Sequence, residues 1–124
     1  MAPVCRVVHG LRILEFEAEG PLLKDDRDVA DFLSAAWAHE ADLVVLPAER
    51  LGDDFFRLRT GVAGAVLQKF VTYSMRVAIL GDISPRVAES SALRDFVLES
   101  NRGQHVWFVE GMDDLERRLG KPGA

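Results

Sequence analysis

Arg57, Arg59, Thr60 and Gly61 fall within a stretch of five residues, inside FFRLRTGVAGAVLQKF. Guanidinium forks match the geometry of carboxylate and phosphate. A threonine hydroxyl at a helix start can cap free N–H groups or donate to an anion, and a glycine there lets a ligand approach the backbone. The combination points to an anion site at a helix N-terminus, with Arg94 placed to close it from the next helix. A purely structural arrangement uses the same residues: Arg57 and Arg59 pair with Asp53, Asp54 or Glu49, and Arg94, Asp95 and Glu99 form a solvated helix face. If the site is catalytic, Asp82 and Asp95 are the candidate general bases, provided burial tunes them.

Other chemistries find no pattern. His9, His39 and His105 are scattered without metal-ligand spacing, so no metal is expected. No phosphate-binding glycine loop and no nucleophile elbow occurs, and no cofactor is implied. Cys5 stands alone in a β-prone run and reads as a packing residue.

The elements that must position these groups follow from periodicity. Val4–Val8 and LRILEFEAE, joined by His9-Gly10, read as a hairpin that ends at Gly20-Pro21. Asp25, Asp26 and Asp28 open a helix over 26–39, with Val29, Phe32, Leu33, Ala36 and Trp37 as its buried stripe. LVVLP after Asp42 fits a strand covered on both faces. Residues 48–59 form a charged loop or a broken short helix. A central helix starts near Thr60, buries Ala63, Val66, Leu67, Phe70 and Val71, and is followed by a buried strand over 75–80. Gly61, Gly64, Ala65, Gln68 and Thr72 share another face of that helix. Glycines in a helix cost about 1 kcal/mol each against alanine, which suggests a close approach there: a homodimer or partner interface, or tight packing within the monomer. ISPRVAE reads as a loop. Ser90-Ser91 then starts a helix that ends at Asn101-Arg102-Gly103, with Gly103 suited to a left-handed cap. A fifth strand over 105–109 and a last helix over 111–119 complete the chain, with Trp107 expected in the core alongside Trp37.

The order β-β-α-β-α-β-α-β-α implies one α/β domain over 1–124: a mixed, mostly parallel five-stranded sheet with about four helices. A length of 124 residues suits one core, and 48% apolar residues is ordinary for a globular chain. The formal charge of −5 disfavours nucleic acid and anionic membranes as partners. No apolar run approaches the roughly 20 residues that span a bilayer. The N-terminus carries charge inside its apolar stretch, unlike a signal peptide, and a single cysteine makes the cytoplasm the expected compartment.

This topology resembles the STAS fold of anti-sigma-factor antagonists and sulfate-transporter tails. FFRLRTGVAGAVLQKF, RVAILGD and SALRDFVLESNRG, between Phe55 and Gly103, resemble the bacterial domain-of-unknown-function family 4180. In STAS antagonists a phosphorylatable Ser or Thr opens the helix after the third strand, in an Asp-Ser-Ser-Gly-like motif. The resemblance aligns Leu58-Arg59-Thr60-Gly61 with that motif: Thr60 and Gly61 match, while Leu58 and Arg59 replace the Asp and the first Ser. The departure points away from phosphorylation by an antagonist-type kinase and toward an anionic group held at the helix N-terminus.

Two functions from different classes are consistent with these residues. The first is a cytoplasmic bacterial STAS-like regulatory module, homodimeric, acting through protein contacts and tuned by a small anionic ligand. The second is a small cofactor-independent enzyme acting on an acidic metabolite in a biosynthetic pathway, with Asp82 or Asp95 moving the proton. A deep pocket with a shifted carboxylate favours the enzyme; an open apolar face favours the module.

Overall fold

The computed structural model describes residues 3–120. Strands β1 (Val4–Val8) and β2 (Leu11–Glu15) form the hairpin. There follow α1 (Val29–Ala38), β3 (Leu43–Pro47), α2 (Asp53–Phe56), α3 (Val62–Thr72), β4 (Arg76–Leu80), α4 (Ser84–Ala88), α5 (Ser91–Arg102), β5 (Val106–Val109) and α6 (Met112–Gly120). The sheet runs β1-β2-β3-β4-β5, with β1 antiparallel to β2 and the other neighbours parallel. The hairpin turn places both His9 (φ 50°) and Gly10 (φ 80°) in the left-handed region, the geometry that matches the twist of paired strands.

Sequential strand order decides the layers. Right-handed crossovers between neighbouring parallel strands put every crossover helix on one face of the sheet. Leu14, Val44, Leu46, Val77, Ile79 and Phe108 point to that face and meet Val29, Phe32 and Leu33 of α1, Val66 and Phe70 of α3, and Leu93 of α5. The alternate residues Ile13, Leu43, Val45, Ala78, Trp107 and Val109 point the other way. Only α6 follows the last strand, and it covers this second face with Met112, Leu115 and Leu119. Because both faces are covered, every residue of β3 is buried, which is why LVVLP has no polar alternation.

Several local readings are corrected. The central helix begins at Val62, two residues past Thr60, with Gly61 rather than Thr60 in the N-cap position. Residues 48–60 break into a 3-10 turn (Ala48–Arg50), α2 and a second 3-10 turn (Leu58–Thr60), and Gly61 at φ 79° turns the chain into α3. The first helix begins at Val29 rather than 26, because the Asp28 carboxylate is bonded by the N–H groups of Lys24 (2.8 Å) and Asp25 (3.3 Å) in a preceding turn. ISPRVAE is not a loop: residues Ser84–Ala88 are helical, with Pro85 in the first turn, where its missing N–H costs nothing. Gly103 is not left-handed (φ −86°). Asn101 is not a helix cap; its amide accepts from Phe108 N–H (2.7 Å) and donates to Phe108 C=O (3.3 Å), tying α5 to β5.

Trp37 is also corrected. It is 51% exposed, at the edge of the α1 stripe, with its ring edge-on to Tyr73 (centroids 5.6 Å apart). Val71, at the edge of the α3 stripe, is exposed as well. Trp107 is buried as expected, its indole N–H donates to Gly103 C=O (2.8 Å), and the guanidiniums of Arg76 and Arg118 each lie 4.6 Å from its ring centre.

Arg50 is the buried charged residue of the described core. Its guanidinium donates to Glu17 C=O (3.0 Å) and Pro21 C=O (2.9 Å) and lies over Phe32. Backbone pairing of Leu23 N–H with Arg50 C=O (2.7 Å) completes the attachment of the 16–23 segment. Gly20 (φ 141°) leaves room for this side chain, since a Cβ there comes within 2.9 Å of the guanidinium carbon. Replacing Arg50 by Met removes the guanidinium donors to the part-buried Glu17 and Pro21 carbonyls and the packing over Phe32. It should lower unfolding free energy by about 2–4 kcal/mol in a urea titration. Arg50→Lys should not restore it, because one ammonium cannot reproduce the planar fork.

Candidate functional site

The chain segment from Asp53 to Arg59 and the α4–α5 corner face each other across a cleft of about 600 Å³. Arg57 and Arg59 line it from one side, Arg86 and Ser90 from the other. Phe56, Leu58 and Ala92 supply apolar wall. Two of the five residues expected at an anion site, Arg57 and Arg59, therefore share one cavity, and Arg86 joins them. Arg94 does not line it; that side chain lies 3.8 Å from the Asp95 carboxylate, with both exposed on α5.

Thr60 serves the loop. Its hydroxyl lies 2.6 Å from Asp54 C=O and 2.8 Å from Arg57 C=O, to which it can donate, and it accepts from Val62 N–H (3.3 Å). That bonding closes the 3-10 turn and leads through Gly61 into α3. The result points Arg57 and Arg59 outward while Phe55 and Phe56 turn into the core.

The internal pairing of Asp53 is with Arg86, not with Arg57 or Arg59. The Arg86–Asp53 distance is 2.8 Å, and the guanidinium lies over the Phe56 ring at 4.5 Å. Charge-assisted bonding from Arg86, helped by the nearby charge of Arg57, holds the Asp53 carboxyl below the usual carboxylate range. Among the described residues, the side chains of Arg57 and Arg59 form no hydrogen bond or ion pair.

Asp82 is exposed and accepts from both the N–H (2.9 Å) and the hydroxyl of Ser84, which keeps its carboxyl below the usual range. A carboxylate so held is ionised at neutral pH but a weak proton acceptor. Beyond the strand ends lies a second cavity of about 400 Å³, between α4, α5 and β5. Its wall is largely apolar, with Ile83, Val87, Val97 and Phe108. Of its polar members, Ser84 is engaged by Asp82 and Asn101 by Phe108, and Glu110 adds a negative charge. The arginine-lined cleft thus offers more open chemistry than the strand-end cavity.

The expected interface residues Gly61, Gly64, Ala65 and Gln68 lie on the outward face of α3, all exposed. Among the described residues, no atom beyond the chain neighbours and the helix's own backbone comes within 4 Å of a Cβ built at Gly61 or Gly64, so packing against another part of the described chain is not the reason for these glycines. Val71 and Thr72 extend the face by helical spacing, and past the end of the helix Tyr73 meets Trp37 edge-on. Among the described residues no three metal-ligating side chains cluster.

Sequence reasoning missed Arg86 because its segment reads as a loop. Ser84-Pro85, with Pro at the start of a helix, was the available signal. The exposed Trp37–Tyr73 pair was missed because Trp37 continues an apolar stripe in the one-dimensional pattern.

A family model described as "Domain of unknown function (DUF4180)" matches residues 8–119. No curated protein and no solved structure matches the chain, so the likeness to STAS domains rests on no structural neighbour. No helix among the described residues is long and apolar enough to cross a membrane.

The Asp53–Arg86 pair gives a pH prediction with a definite sign. A folded-state pKa below the unfolded value means that the pair's stabilisation is present above the usual carboxylate range and is lost as pH falls through the lowered pKa. In an NMR titration the Asp53 carboxyl carbon should titrate below the usual range. In Arg86→Gln it should move back up toward that range; an unmoved midpoint would count against the pair.

Proposed function

Because the chain belongs to the DUF4180 family, whose description names no activity, we propose its role from its surface: a cytoplasmic regulatory module that works through protein contacts. Its contact surface is the outer face of α3, and its first partner is a second copy of the chain. The carrying observation is the open glycine face. Gly64 costs the helix about 1 kcal/mol against alanine, yet among the described residues nothing uses the space that its missing Cβ leaves. A close-approaching partner helix is the kind of occupant that needs such a face.

Two further features support the reading. Val71, at the C-terminal end of this face, is 36% exposed, and past the end of the helix Tyr73 and Trp37, 49% and 51% exposed, form an edge-on pair. Exposed aromatic side chains of this kind supply the anchors of protein interfaces. Gly64, Ala65, Gln68, Val71 and Thr72 carry no charge, so the face does not repel its own copy, although the chain as a whole bears −5. The enzyme alternative gains less support. Asp82 and Asp95 are both exposed, and neither has the burial that tunes a general base.

Sedimentation velocity over a range of concentrations tests this directly, with a reversible dimer expected for the wild type. Trp37→Ala should raise the dimer dissociation constant roughly thirtyfold if Trp37 is an anchor worth about 2 kcal/mol. Gly64→Glu should give monomer without loss of fold. Gly64→Ala should stabilise the monomer by about 0.5–1 kcal/mol, because its Cβ meets open space. A wild type that stays monomeric at the highest concentrations removes the proposal.

A further inference from the structure

The geometry points to a second binding function: the cleft between the Asp53–Arg59 segment and the α4–α5 corner takes a small dianion of the phosphate or dicarboxylate type, with Arg57, Arg59 and Arg86 as its cations. This site lies on different elements from the α3 face and does not depend on the dimer.

Charge is the first argument. Three guanidiniums line the cleft against two carboxylates, Asp53 and Glu89, which leaves one net positive charge in a chain of −5. The pairing is uneven as well. Asp53 engages Arg86, while the side chains of Arg57 and Arg59 have no hydrogen-bond or ion-pair partner among the described residues. Two open forks on one wall match a ligand with two negative charges, since each fork binds a planar or tetrahedral oxyanion edge.

Position is the second argument. Ser90 and Ala92, at the first turn of α5, line the opposite wall. Ser90 Oγ accepts from Leu93 N–H, which satisfies that donor and leaves the N–H groups of Ser91 and Ala92 at the positive end of a 12-residue helix. The helix end adds to the field of the arginines. Size is the third argument. The cleft of about 600 Å³ exceeds a bare oxyanion, and Phe56, Leu58 and Ala92 offer apolar wall to a short carbon skeleton. Arg86, held over Phe56 by Asp53, is the third cation once the ligand shares it. Asp53 then acts as an internal anion in competition with the ligand.

The test is a titration of the full chain by two-dimensional NMR. The probes are inorganic phosphate, phenyl phosphate and succinate, each at matched ionic strength against sodium chloride. Saturable shifts are expected at the Nε–H groups of Arg57, Arg59 and Arg86 and at the Ser91 and Ala92 amides. Arg57→Gln or Arg59→Gln should weaken binding on the order of tenfold each, the loss of one charge-assisted contact, and the double variant should lose it. These side chains are exposed, and unchanged spectra away from the cleft confirm that the variants fold. Asp53→Asn should tighten binding severalfold. A response to the two phosphates alone, or to succinate alone, assigns the dianion source; either supports the site. No saturable shift with any probe, shifts that persist in the double variant, or weaker binding in Asp53→Asn would overturn it.

Discussion

Neighbouring strands that follow one another in sequence, joined by right-handed crossovers, put α1, α3 and α5 on one side of the sheet. Much of the surface follows from that constraint. Three helices in a single layer each bury one face against the strands and turn the other outward. Nothing within the described fold lies over the middle helix, α3, so Gly64, Ala65 and Gln68 meet solvent. The opposite side of the sheet receives one helix after the last strand, and Leu115 is its fully buried anchor.

The long β3–β4 connection does a different job. It must travel from the end of β3 to the start of α3, and it does so in short helical turns held by side-chain bonds to carbonyls. Arg50 fastens its beginning to the segment after the hairpin, and Thr60 fastens its end. Phe55 and Phe56 sink into the core between these two points, which forces Arg57 and Arg59 to the surface. The arginine-lined cleft is therefore a by-product of how this connection is anchored, and α4 completes it from across the gap.

Neither surface resembles a buried reaction centre. The carboxylates considered for proton transfer stand in water, where Ser84 or an adjacent arginine engages them. Catalysis by tuned acids and bases needs desolvation or a closely facing charge, and binding by guanidinium forks does not.

Periodicity, with its breakers, made the sheet and its four longer helices legible, though not the short α2 and α4. Five β-prone runs, four amphipathic helices and their alternation were legible because burial on one face or two leaves a regular trace in residue type. The buried β3 and the start of α5 at Ser90-Ser91 were legible for the same local reasons. The apolar stripe could not say how wide each buried face is, so Trp37 at its edge looked like core until its surroundings were known. The glycines of α3 signalled an unusual face, but whether a neighbour filled it depended on the layer arrangement. Arg57 and Arg59 were legible as a local pair. Arg86, 27 residues beyond Arg59, was brought beside them only by the packing of α4 against the β3–β4 connection. Local chemistry is written in neighbouring residues, whereas a cleft between distant segments exists only once the crossovers have placed them, and this is why tertiary structure alone decided the membership of the site.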